Sequence, residues 1–252
     1  MLKKENMKND RLKKILEMLN SDTYCSAHKL SKTLFVSLPT VRRDLAELEQ
    51  QGLIVRNHGG AKKKTDDKTE IPFEFKSLFK VNEKKRLCKA AAKLVNDNDI
   101  IFVDASTSVI HVANYLKDKN NLTVLTNGVA TASFFGKLGF NVYCTGGKFI
   151  PTSLSFSGDH AAELLEKYNV DIMIFSASGI SDNGYIVDTT EEIAALRRRI
   201  FKSVRKKVFI CDKEKFSCPA PYNVAAINEM DYVICNAYLP KTVKFGGELI
   251  IV

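Results

Sequence analysis

Five short stretches of the 252-residue chain set hydroxyl, amide, glycine, carboxylate and lysine groups side by side. They are Asp104-Ala105-Ser106-Thr107-Ser108, Thr126-Asn127-Gly128, Gly146-Gly147-Lys148, Ser178-Gly179 and Asp212-Lys213-Glu214-Lys215. Hydroxyls and free backbone N–H groups at the start of a helix bind anions. Amides and carboxylates bond the hydroxyls of a polyol. Taken singly, these are ordinary turn sequences. Converging on one crevice, they would suit a small phosphorylated polyol. A second set lies near the amino end: Ser37, Pro39, Thr40, Arg42 and Arg43. Arg bonds a guanine edge bidentately, and Ser and Thr suit phosphate or base contacts. The alternative for these arginines is a solvated helix on which they pair with Asp44 or Glu47.

Helical spacing sets the frame for the second set. Leu12, Ile15, Leu16 and Leu19 mark an amphipathic helix over 8–20. Ser26 is placed to cap a second helix, 27–34, with Leu30 and Leu34 inward. After the turn Phe35-Val36-Ser37, Ser37 caps a third helix with Pro39 in its first turn. Its stripe is Val41, Leu45 and Leu48, and Gly52 ends it. Thr40 and Arg43 share a face turned away from that stripe. Two short helices, a tight turn and a longer helix make a helix-turn-helix, whose last helix enters the major groove of double-stranded DNA. Residues 53–56 then read as a strand and 57–60 as a turn, the hairpin of a winged helix. Arg56, His58, Lys62 and Lys63 would reach the DNA backbone or minor groove from it. Charge agrees: residues 1–64 hold 14 Lys and Arg against 7 Asp and Glu, and so carry +7 of the net +9.

The five polar stretches need a different frame. Apolar runs at 100–104, 122–127, 141–147, 170–180, 207–212, 232–236 and the carboxyl end read as strands. Helical patterns at 83–99, 107–117, 129–137, 157–168 and 190–205 alternate with them. That alternation predicts an α/β domain with a mainly parallel sheet, which binds ligands beyond the carboxyl ends of its strands. The expected organisation is a winged helix-turn-helix domain over 1–62, a linker over 63–82 and an α/β effector-binding and oligomerisation domain over 83–252. Within the linker, Phe73, Phe75, Leu78 and Phe79 are too apolar to stay free. They are expected to dock on the second domain or on a partner subunit.

Bulk properties exclude several classes. An apolar fraction of 45% with 27% charged residues suits a chain that buries a core. There is no run of 18 apolar residues to span a membrane, and no apolar signal-peptide stretch follows the charged amino end. A cytoplasmic protein is expected. Of the six cysteines none forms a C-x-x-C pair, and no His sits at metal-finger spacing. Reduced, mostly buried thiols are expected, with no metal and no cofactor.

The stretch VSLPTVRRDLAELEQQGLIVRNHGGA resembles the DNA-binding signature of the DeoR family of bacterial regulators. Val36-Ser37, Thr40 to Leu45, Leu48-Glu49, Gly52 and His58 to Ala61 carry the match. The likeness continues through most of the chain, from about residue 8 to 236. Asp104 to Ser108 stand at the family's D-x-G-T-T loop, Thr126-Asn127 at its T-N loop and Gly146-Gly147 at its G-G turn. Gly179-Ile180 with Glu191-Glu192, and Asp212 to Lys215, match its later elements. The resemblance implies a sensor half like the ribose-5-phosphate isomerase fold, a phosphorylated-sugar effector and a repressor of carbohydrate-utilisation genes. It would work as a homodimer or homotetramer on an operator. The effector would be held by Asp104, Ser106, Thr107, Ser108, Thr126, Asn127, Gly146, Gly147, Gly179, Glu192 and Lys215. Two positions depart from the pattern: Ser106 stands where the family has Gly, and Ile193 where it often has Ala.

Two other classes fit the residues less well. An isomerase-like enzyme needs a general base near the reacting carbon. The related isomerases carry carboxylates where this chain reads Ser176-Ala177-Ser178-Gly179, so no enzyme is expected. A DNA-binding protein without a ligand would not need an α/β domain of about 170 residues.

Overall fold

The computed structural model describes residues 2–22, 24–64 and 71–252. The chain divides into two compact units, Met1–Phe79 and Lys80–Val252. Among the described residues, no helix is long and apolar enough to cross a membrane.

The first unit opens with α1 (Leu2–Ser21), β1 (Cys25–Ser26), α2 (Ala27–Leu34) and α3 (Leu38–Gln50). β2 (Ile54–Asn57), β3 (Gly60–Lys63) and α4 (Phe73–Leu78) complete the unit. On α1, Leu12, Ile15, Leu16 and Leu19 are buried against Leu30 of α2 and Val41, Leu45 and Leu48 of α3. Each such side chain contributes about 1.5–3 kcal/mol by leaving water. Ser26 caps α2 by accepting from Lys29 N at 3.1 Å, and Ser37 caps α3 by accepting from Thr40 N at 3.4 Å. β2 and β3 pair as the antiparallel wing. β1, which periodicity does not reveal, adds a third strand with Cys25 opposite Ala61. Phe75 does not fulfil the linker expectation: it is buried in this unit's own core, with Leu78 and Phe79 packed against it. Of the linker expected over 63–82, Lys63 belongs to β3 and the last two residues to a helix that opens the second unit, while 65–70 lie outside the described residues.

The second unit begins with α5 (Val81–Ala92), β4 (Ile100–Val103), β5 (Thr123–Thr126), α6 (Val129–Lys137) and β6 (Asn141–Cys144). A hairpin of β7 (Lys148–Ile150) and β8 (Ser155–Ser157) leads to α7 (Asp159–Glu166) and β9 (Val170–Phe175). Next come β10 (Gly179–Ile180), β11 (Tyr185–Asp188), α8 (Glu191–Ile200) and β12 (Val204–Ile210). β13 (Tyr222–Ala226), β14 (Tyr232–Cys235) and β15 (Glu248–Ile251) close the unit. Seven strands form one sheet in the order β15-β14-β12-β9-β4-β5-β6, every pair parallel. The mainly parallel sheet expected from the alternation is present. A small antiparallel sheet, β10-β11-β13, stands apart from it. Alternate residues of β4 serve the two faces: Phe102 joins one apolar cluster, Ile101 and Val103 the other. The helix expected at 107–117 is instead a 3-10 helix over Ile110–Tyr115.

The sheet order fixes where a ligand would sit. From β4 the chain moves outward to β5 and β6, then returns to the other side of β4 with β9 and continues to β12, β14 and β15. The direction reverses between β4 and β9, and such a reversal opens a crevice at the carboxyl ends of the two strands.

Candidate functional site

Asp104 comes directly after β4 at this reversal and is 2% exposed. Its backbone N–H donates to Ile174 O of β9 at 3.2 Å. One carboxylate oxygen accepts from Ser106 N at 3.0 Å, the other from Ser176 N at 3.4 Å. The Arg197 guanidinium donates to the same carboxylate at 2.7 Å and also to Asp188. Asp188 ends β11 and further accepts from Ser178 Oγ at 2.9 Å. Burial works against the Arg197 charge, but Asp188 and Asp104 outweigh it and hold its pKa above the ordinary value. Two carboxylates share this one guanidinium, so the centre is rich in acceptor oxygens, which suits hydroxyl donors more than an anion.

The neighbouring loops close around it. Thr126 Oγ1 accepts from Gly128 N at 3.0 Å, and Thr131 of α6 donates to Asp104 O at 3.1 Å. A Cβ on Gly128 would stand 2.7 Å from Ala105 Cα, so the two loops touch only because residue 128 is glycine. Asn127 Nδ2 donates to Phe156 O at 3.1 Å and brings β8 alongside. Gly147, at φ +108°, would place a Cβ 2.7 Å from Ser157 O. Lys148 and Glu192 pair at 3.0 Å, which holds the Glu192 carboxyl below its ordinary pKa. Lys215 Nζ donates to Ser176 Oγ at 2.7 Å and Ala177 O at 2.6 Å. Gly179 permits that crossing, since a Cβ there would stand 2.3 Å from Lys215 O. Gly146, at φ +64°, turns the chain beside Gly147.

Thr107 and the backbone of Ser108 are engaged by α5. Thr107 Oγ1 meets Lys84 Nζ of α5 at 2.9 Å, and Ser108 O accepts from Cys88 at 3.1 Å. Sequence reasoning misses Asp188, Arg197, Ser157 and Thr189. Asp188 ends a strand that the apolar pattern does not reveal. Arg197 lies among three consecutive arginines of the helix expected over 190–205, and residue type alone does not set it apart from them. Its phase gives it away, since Ile193, Leu196 and Ile200 place it on the buried stripe. Among the described residues, five buried side-chain polar atoms lack a hydrogen-bond partner: Ser106 Oγ, Asn127 Oδ1, Ser157 Oγ, Thr189 Oγ1 and Arg197 Nε. All five belong to these loops and to α8. Two open cavities of about 770 and 570 Å³ lie instead at the amino ends of the strands, lined by residues such as Lys206, Asp231 and Glu248, or Lys117, Lys137 and Asn141. No such orphaned atom belongs to either lining. Among the described residues, no group of three or more His, Cys, Asp or Glu could hold a metal.

In the first unit, Arg42 and Arg43 project from α3 and are exposed. Asp44 and Glu47 do not pair with them. Asp44 is buried and taken by Arg11 of α1 at 2.5 and 2.9 Å, and Glu47 pairs with Lys8 at 2.7 Å. Ser37 and Thr40 share a hydroxyl bond of 2.9 Å at the head of α3, beside exposed Pro39. Lys62 and Lys63 are exposed on β3, and His58 is exposed at the tip of the wing. Arg56 is exposed but pairs with Glu49 at 3.6 Å. Gly60 is required where β3 passes β1, because a Cβ there would stand 2.3 Å from Cys25 O.

Residues 11–66 match the model of the DeoR-like helix-turn-helix domain, and residues 80–237 match that of the DeoR C-terminal sensor domain. The chain belongs to the DeoR family. An HTH-type transcriptional regulator of Bacillus subtilis is 32% identical over 93% of this chain and 92% of that protein. The glycerol-3-phosphate regulon repressor of Escherichia coli is 27% identical over 91% of each chain. Among solved structures, a ribose 5-phosphate isomerase from Plasmodium falciparum matches with a TM-score of 0.41 and 15% identity, over 54% of this chain and 52% of that one. As a DeoR-family member the protein is a DNA-binding transcription regulator and not an enzyme.

Proposed function

We propose that the protein is a repressor whose second unit takes a phosphorylated sugar at the carboxyl ends of β4, β5, β9 and β11. The observation that carries this reading is the set of unpaired buried atoms. Leaving a buried polar atom without a partner costs about 1–3 kcal/mol, and five of them on adjoining segments are accounted for by a ligand rich in hydroxyls. Asp104 and Asp188 accept hydroxyl protons, while Asn127, Ser106 and Thr189 complete the ring of contacts. Lys148, Lys215 and the Gly146-Gly147 backbone stand at the rim for the phosphate. In the first unit, Ser37, Pro39, Thr40, Arg42 and Arg43 enter the major groove, and Arg56, His58, Lys62 and Lys63 track the backbone. Two copies on a dimer or tetramer would read repeated half-sites. A sugar phosphate regulates only by preferring one subunit arrangement over the other.

The test is a thermal-shift screen of the full chain with sugar phosphates, the matching free sugars and inorganic phosphate. At least one sugar phosphate is expected to raise Tm more than its free sugar does, and Asn127→Ala to abolish the difference. No response from any sugar phosphate would sink the reading.

A further inference from the structure

Two thiols outside that cluster lie side by side. β12 and β14 run parallel with Ile210 opposite Ile234, and Cys211 N donates to Ile234 O at 3.0 Å. The next residues, Cys211 and Cys235, are therefore neighbours across the strand pair. Both point into the same apolar cluster, 1% and 0% exposed. Adjacent strands stand about 4.7–4.9 Å apart, inside the Cα separation of about 4.4–6.8 Å that a disulfide spans. The Cys235 thiol meanwhile donates to Asn236 Oδ1 at 3.7 Å.

The residue after each cysteine links the pair to the crevice. Asp212 accepts from Lys80 Nζ at 2.9 Å and from Glu214 N at 3.0 Å. Asn236 accepts from Lys213 N at 2.8 Å and donates to Glu83 of α5. The two cysteines thus anchor the residues that hold the Lys213–Lys215 turn in place, and Lys215 in turn reaches Ser176 and Ala177.

We propose that Cys211 and Cys235 are a redox-active pair whose oxidation to an intramolecular disulfide resets the Lys213–Lys215 turn. This does not depend on the identity of any ligand in the crevice. The neighbouring Cys211 thiol, with backbone N–H groups of Ala237 and Asn236, holds the Cys235 thiol below its ordinary pKa against the effect of burial. The neighbouring Cys235 and burial push Cys211 up. Cys235 is then the nucleophile and Cys211 the resolving thiol. The Cys235 thiolate attacks a hydroperoxide oxygen, the O–O bond breaks, and the alcohol or water leaves with a proton. The Cys211 sulfur next attacks the sulfenic sulfur, an S–S bond forms, and hydroxide leaves with the Cys211 proton as a second water. Two thiols lose two electrons and two protons, and the peroxide gains them. Burial limits the oxidant to one as small as hydrogen peroxide. Cys88, whose thiol burial pushes up to about 12 while it donates to Ser108 O, serves as the inert comparison within the same chain.

The full chain is treated with hydrogen peroxide, its free thiols are blocked with N-ethylmaleimide, and it is digested with trypsin and Glu-C. Cleavage after Glu229 separates Cys235 from Cys218. Mass spectrometry is expected to find peptide 208–213 linked to 230–241, with the link lost in dithiothreitol and Cys88 alkylated. In the near-isosteric Cys211→Ser chain, dimedone should trap Cys235 as its sulfenic acid. Amide exchange over 212–216 should rise severalfold in the oxidised wild type. Recovery of both cysteines as free thiols, or a bridge from Cys235 to Cys218, overturns the pair. Unchanged exchange with the bridge present overturns its link to the turn.

Discussion

Arg197 is the side chain on which the sensor unit turns, because it stands between two buried carboxylates, as no other cation does among the described residues. Removing a charge from a buried ion cluster strands its partners and costs about 3–5 kcal/mol. Arg197→Met keeps the length of the side chain and is expected to lower stability by about that amount, read as a fall in the urea midpoint of the second unit. Adding Asp188→Asn to that variant should restore part of the loss, since one carboxylate then remains unpaired rather than two. No recovery would mean that packing, not charge, sets the cost. The same residue shows where sequence reading stops. Arg198 and Arg199 do what a basic run suggests and pair at the surface with Glu191, Asp159 and Glu166. Arg197 differs from them only in helical phase. Thr126 shows the converse: its type and place are legible, but its hydroxyl is spent on Gly128 N and holds the loop.

At the scale of elements, the sheet strands and the helix-turn-helix are legible because each carries its own period and punctuation. Elements that depend on distant partners are not. β1 is two residues long and exists only because β3 runs past it. α4 reads as a docking segment because its apolar residues give no hint of which core they join. Asp44 is legible as part of the Arg42-Arg43-Asp44-Leu45 run, yet it faces inward to Arg11 while its neighbours face out. The head of α3 is the element whose local chemistry bears most directly on DNA binding. Ser37 there satisfies an otherwise open N–H and bonds the Thr40 hydroxyl. Ser37→Ala should cost about 1 kcal/mol of local stability, or about fivefold in the exchange rate of the amides that open α3. Operator affinity should fall with it. Unchanged exchange at residue 40 would show that the cap contributes nothing.

For the whole molecule, charge rather than shape divides the labour. The first 64 residues carry +7, and the remaining 188 share +2. A duplex surrounded by condensed counterions rewards that concentration, because each phosphate neutralised by Lys or Arg releases cations to solvent. Affinity must then fall with salt, with a slope in log K against log salt of about 0.9 for each phosphate contacted. Lys62 and Lys63 extend from the wing without an ion pair among the described residues, so they are free to make such contacts. The double variant Lys62→Gln, Lys63→Gln is expected to flatten the slope by about 2 per subunit while leaving the ranking of operator sequences intact, as measured by fluorescence anisotropy across a salt series. Arg43→Ala should do the reverse, relaxing the ranking with a smaller change in slope. If the two variants behave alike, α3 and the wing do not divide base reading from backbone binding. The positive charge of the first unit would then act as a single diffuse field rather than as placed contacts.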